Sequence, residues 1–168
     1  MSIEPLFLNC AVEKLHEFIG RIEVCLGKLS EEQIWLRGSE NQNAVGNLAL
    51  HLAGNVNQWI VTNLGNNPGS RDRDAEFDAR GGLTAIQLAA RLRSTVERAT
   101  DIIARLTTEQ LTREYVIQDY SVSGVEAVFH VVEHFSMHTG QIIFMTKMLT
   151  GADLGFYKHL GARDVAQA

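Results

Sequence analysis

Two cysteines and two prolines in 168 residues leave little to build a disulfide framework or a proline-rich linker. Cys10 and Cys25 both fall in the first predicted helix. Their 15-residue separation corresponds to roughly 22 Å at ~1.5 Å per residue, so they cannot pair within that helix. Reduced, inert core thiols in a cytoplasm are the expectation. Basic charge is also scarce: 15 Lys and Arg against 20 Asp and Glu give a net charge of −5. No Lys/Arg stripe is visible, which argues against a nucleic-acid partner. The opening MSIEPLFLNCAVEKLHEF has neither a basic leader nor a long apolar run, so neither a signal peptide nor a membrane span is expected. Gly-x-Ser-x-Gly, His-Glu-x-x-His and Cys-x-x-Cys are all missing. Serine-hydrolase, zincin and thioredoxin chemistry therefore have no support.

What remains is the composition of an ordinary globular chain, 45% hydrophobic and 21% charged, at a length suited to one domain over residues 1–168. Phe7, Ala11, Leu15, Phe18, Ile22, Leu26 and Leu29 are spaced by fours and threes, which places them on one helical face. A second helix starts near Asn43, carries Leu48, Leu52, Val56, Trp59 and Ile60, and ends at the Gly65-Asn66-Asn67-Pro68-Gly69 break. Leu88, Leu92, Val96, Ala99, Ile103 and Leu106 mark a third, with Thr84 and Gln87 as its capping box. Ser123 and Glu126 give the same signal for a fourth, in which Val125, Val128, Phe129, Val132, Ile142, Ile143 and Leu149 are the apolar positions. An all-α chain with no sheet is expected; Tyr115-Val116-Ile117 is the one short stretch that reads as extended.

Lys28-Leu29-Ser30-Glu31-Glu32-Gln33-Ile34 and Arg105-Leu106-Thr107-Thr108-Glu109-Gln110-Leu111 are alike and follow the first and third helices, a faint repeat pointing to two similar halves. Residues 65–82 join the halves and are too many for a tight turn, so a crossover along the helices is expected. Its Arg71-Asp72-Arg73-Asp74-Ala75-Glu76-Phe77-Asp78 run alternates in sign. That run reads first as a solvated loop and second as a flap over a pocket.

Histidine carries the chemistry. His130, His134 and His138 fall at i, i+4 and i+8 on the fourth helix, and an i, i+4 pair of imidazoles can clamp a metal at roughly 2.1 Å. On the second helix His51 shares a stripe with Asn47, Asn55 and Gln58, bordered by Leu48, Leu52 and Trp59. Polar groups in such a setting need hydrogen bonds or a metal. A hydrogen-bonded core histidine is the plain alternative for His51. The second cluster, on a helix expected to pack nearby, is what favours a metal, because bundles build such sites between facing helices.

The run from His130 through Glu133-His134-Phe135-Ser136-Met137-His138-Thr139-Gly140-Gln141 to Ile142 resembles the terminal helix of the DinB superfamily. Gly46-Asn47-Leu48-Ala49-Leu50-His51-Leu52-Ala53-Gly54-Asn55 is similar to the helix that supplies that family's first histidine, especially in an uncharacterised bacterial branch. Residues 71–77 and Asp153-Leu154-Gly155-Phe156-Tyr157 are also similar to that branch. The resemblance implies a four-helix bundle with a long crossover between its second and third helices. It also implies one divalent transition metal, zinc or nickel, on His51, His134 and His138. By the same resemblance His130, one turn earlier, is a near-site residue and not a ligand. Relatives include transferases and isomerases that use bacillithiol or mycothiol, and relatives are commonly homodimers. The reading is a metal-dependent transferase that presents a small cytosolic thiol to an electrophilic small-molecule substrate during stress or detoxification. A hydrolase using metal-activated water and a non-enzymatic metal-binding protein are the alternatives.

Overall fold

Local signals fix where the helices begin. In this computed structural model, which describes residues 2–158, Thr84 and Gln87 exchange side-chain and backbone hydrogen bonds at 2.9 and 3.2 Å at the start of α5, Ala85–Ile103. Ser123 and Glu126 do the same at 2.7 and 3.2 Å for α7, Gly124–Thr150. Each box satisfies two backbone donors that a helix start leaves open. Upstream lie α1 (Ile3–Leu26), α2 (Glu31–Trp35), α3 (Val45–Val56) and α4 (Arg73–Asp78), and α6 (Thr108–Thr112) follows α5. The two similar segments of the sequence are α2 and α6, each one turn long and each opened by its own capping box, Ser30 with Gln33 and Thr107 with Gln110.

The chain is mostly helical, and its long helices pack pairwise: α1 against α5 and α7, and α3 against the same two. Leu15, Ile19 and Ile22 of α1, Leu52 and Val56 of α3, Leu88, Leu92 and Ile103 of α5, and Val128, Val131, Phe135 and Ile142 of α7 are buried between them. Each such side chain contributes ~1.5–3 kcal/mol by leaving water. Among the described residues no helix is long and apolar enough to cross a membrane.

Four expectations need correction. A two-stranded hairpin interrupts the helices: β1, Glu114–Ile117, pairs antiparallel with β2, Tyr120–Ser123. Its turn is Gln118-Asp119, both left-handed at φ 51° and 67°. Aspartate tolerates that region; glutamine there costs on the order of 1 kcal/mol, which the bond from Gln118 Nε2 to Gln58 Oε1 at 2.7 Å helps offset. Four residues per strand, with only Ile117 of β1 buried, are too few for alternation to register as a pattern. Second, the helix begun by α3 does not stay α-helical. From Asn57–Leu64 it widens to a π-helix. Side chains take carbonyls of the wide turns, Asn63 Nδ2 donating to Gln58 O at 2.6 Å and Asn67 Nδ2 to Val61 O at 3.1 Å.

Third, the crossover is not simply a solvated loop. It folds into α4, capped by Asp72, whose Oδ1 accepts from Ala75 N at 2.9 Å, and α4 packs on α3. Arg71 and Glu76 are buried there, with side chains 5% and 8% exposed. Fourth, Cys10 is on the surface; only Cys25 is a core thiol, and burial pushes its pKa up.

Candidate metal centre

α3 and α7 pack face to face, and that packing brings together side chains 83 residues apart. His51 Nε2 lies 3.1 Å from His134 Nε2, which in turn lies 3.2 Å from His138 Nε2. One ligand atom from each of the three lies within 4.8 Å of the others, so these histidines could hold a metal ion. The pair on α7 meets because i and i+4 share a helical face; His51 arrives from the facing helix.

The outer nitrogens decide what the inner ones can do. His51 Nδ1 faces Glu76 Oε2 at 3.1 Å, and a carboxylate only accepts, so the His51 proton sits on Nδ1 and the Nε2 lone pair points inward. His138 Nδ1 donates to Gln141 Oε1 at 2.6 Å, with the same result. Arg71 Nη2 also stands 3.0 Å from His51 Nδ1, donor against donor; its partner is Glu76 Oε2, at 2.8 Å. His134 Nε2 can carry a proton for one of its two neighbours and not for both. Two or three lone pairs aimed at one point are unfavourable unless a cation lies among them, and neutral imidazoles with second hydrogen-bond partners are the usual ligands of such ions. The donor set fits a divalent transition metal.

Electrostatics favour the ligating form. Burial, then the nearby His138 and His51, lowers the pKa of His134 from 6.5 to about 3. Burial likewise lowers His138, against a smaller opposing effect of Gln141. Both are therefore neutral at pH 7. Burial works to raise the Glu76 carboxyl, yet hydrogen bonds from Arg71 and His51 outweigh it and hold the group below its ordinary value. Arg71 grips both oxygens of Glu76 through Nε and Nη2, each at 2.8 Å, and its Nη1 donates to Gln58 Oε1 at 3.0 Å. Gly54 makes room for this pair, since a Cβ there would overlap Glu76 Oε1 and approach Arg71 Nε to 2.9 Å.

The near-site residues divide. His130 does not join the converging nitrogens; it stacks on Trp59 with ring centres 3.9 Å apart, and burial lowers its pKa. Asn55 approaches it, Nδ2 to Nε2 at 3.5 Å. Gln58 ties Arg71 to the hairpin turn. Asn47 makes no hydrogen bond to a histidine among the described residues. It is a buried bracket for the crossover, donating to Glu76 O and Ala79 O, each at 2.9 Å, and accepting from Arg37 at 2.8 Å. A cavity of about 480 Å³ opens beside the histidines, walled by Asn55, Trp59, Arg71, Tyr120 and His130 as well as His51 and His134. Sequence reasoning missed Glu76 and Arg71 as site residues. Their only signal was the charged run, in which nothing distinguishes the buried acid from the exposed ones.

A family model described as "Protein of unknown function (DUF1572)" matches residues 2–160. The chain belongs to the DUF1572 family. No curated protein matches the sequence. The crystal structure of a conserved protein from Enterococcus faecalis is similar, with a TM-score of 0.73 at 15% identity over 86% of this chain and 97% of that one. At that identity the likeness shows a shared fold. This DUF1572 member thus couples a known helical architecture to a three-histidine cluster.

Proposed function

We propose that the protein is a DinB-like four-helix-bundle metalloprotein, one domain over residues 1–168, with one divalent ion, zinc or nickel, on His51, His134 and His138. In this reading it is a cytoplasmic homodimer that transfers a small thiol to an electrophilic small molecule, in stress or detoxification, and has no nucleic-acid partner. The observation that carries the metal is the convergence of three imidazole nitrogens from two packed helices. A divalent ion there would supply Lewis acidity, bringing the pKa of a coordinated thiol or water toward neutrality.

The chain's own residues supply the rest. Glu76 fixes the His51 tautomer, Gln141 that of His138, and Arg71 holds Glu76 ionised. Neutral ligands leave the ion its full charge, as suits a catalytic site better than a closed structural one. The adjoining cavity gives a small molecule access to His51 and His134, and Trp59 with His130 forms an aromatic wall against it.

Elemental analysis of the purified protein tests the metal; about one zinc or nickel per chain is expected. Incubation with a panel of low-molecular-weight thiols and electrophiles, with product analysis, tests the reaction. A thioether product that needs both metal and thiol supports the transfer. A hydrolysis product formed without thiol replaces it with the water chemistry, and no turnover by metal-loaded protein replaces it with a binding role.

A further inference from the structure

Behind the Arg71–Glu76 pair, away from the three-histidine cluster, lies a second cavity of about 620 Å³ between α3, α5 and the crossover. Its α5 wall is Arg91, Ser94, Thr95 and Arg98, spaced by threes and fours on one face. The small side chains of Ala53 and Ala75 lie opposite. Arg93 on the same helix is paired with Glu23, whereas the Arg91 and Arg98 guanidinium groups meet no hydrogen-bond or ion-pair partner among the described residues. Of the two acids lining the cavity, Glu76 is held by Arg71. Asp72 caps α4. Two cations without an ion-pair partner among the described residues thus face a cavity of metabolite size, whose two acids are engaged elsewhere, Glu76 with Arg71 and Asp72 at the start of α4.

We propose that this cavity binds a small organic oxyanion, a phosphorylated or polycarboxylated molecule, with Arg98 and Ser94 on one anionic group and Arg91 on the rest. Guanidinium planes match carboxylate and phosphate oxygens in pairs, and the Ser94 hydroxyl stands one turn from each arginine. Helical side chains lean toward the N-terminus, which brings Arg98 back over Ser94. Pockets of 300–1,000 Å³ are the usual size for such ligands. An occupant would rest against Arg71 and Glu76, the same pair that orients His51. Anion binding here requires no metal on the histidines, and failure of either leaves the other standing.

Calorimetric titration of the full chain with inorganic phosphate and with citrate, at ionic strength matched by sodium chloride, provides the test. One site per chain is expected for at least one of them. Stronger phosphate binding identifies a phosphorylated ligand, stronger citrate binding a polycarboxylate. Arg98→Ala and Arg91→Ala should each weaken binding about ten- to a hundredfold, the worth of a charge-assisted hydrogen bond. Ser94→Glu, which removes no arginine, should cause a comparable loss, and Arg93→Ala should cause none. Absence of binding by both probes, or affinities unchanged in all three cavity variants, overturns the proposal.

Discussion

Glu76 Oε2 meets His51 Nδ1 at 3.1 Å, joining a crossover carboxylate to a histidine 25 residues earlier whose other nitrogen faces His134. Carboxylate partners of this kind raise ligand basicity and lock the ring, and losing one commonly costs ten- to a hundredfold in metal affinity. Glu76→Gln is therefore expected to weaken metal binding by about that factor while helicity persists, measured by competition with a chromophoric chelator. An affinity equal to wild type would show that His51 needs no carboxylate.

The three converging histidines should each be indispensable. His51→Ala, His134→Ala and His138→Ala are each expected to lower affinity severely, by at least about a hundredfold, because two imidazoles form a weak chelate. His130→Ala, which removes only the ring stacked on Trp59, should change affinity by a few-fold at most. Equal losses for His130 and His134 in the same titration would require a different donor set.

Removing metal should leave the helices intact. A core supplied by four long helices does not depend on an ion as a zinc finger does. Linkage adds ~4 kcal/mol when free metal exceeds its dissociation constant 1,000-fold. Circular dichroism before and after chelation should show unchanged helicity and a lower melting temperature. Loss of helical signal on chelation would point to a structural ion.

Acid should destabilise the metal-free protein. In the unfolded chain His134 and His138 titrate near 6.5, while in the folded chain both are lowered, His134 to about 3. Below pH ~6.5 the unfolded state binds more protons, so unfolding becomes easier as pH falls, until the folded histidines titrate as well. His134, whose pKa is lowered to about 3, should contribute strongly to this loss. Urea unfolding between pH 5 and 8 measures it, and His134→Ala should flatten the slope.

Gly54 is predicted to be intolerant of any side chain. Gly54→Ala puts a methyl where Glu76 and Arg71 lie, and such overpacking costs ~1–3 kcal/mol. Alanine is the better helix former, so an exposed glycine would show the opposite sign. Thermal unfolding distinguishes the two outcomes.

Much of this was legible in the sequence where local rules apply. The boxes at Thr84 and Ser123, and the apolar faces that place Leu15, Ile22, Leu92 and Val128 in the core, follow from helical spacing and capping chemistry. His51, His134 and His138 stood out by residue type and spacing, with the set chosen by family resemblance. Glu76 did not, because its burial depends on α4 folding back on α3, a tertiary event that no local pattern encodes. The hairpin was too short for its alternation to register, and the π-helical turns after Val56 depend on asparagine bonds to carbonyls that periodicity cannot reveal.

The donor set takes one residue from position 51 and two from positions 134 and 138, so it cannot assemble until both α3 and α7 have been made. A ribosome that has made α3 has made one ligand. Until α7 has emerged and docked, a partly made or prematurely ended chain offers an ion no more than isolated imidazoles. Occupancy by metal would then report that α7 has docked on α3.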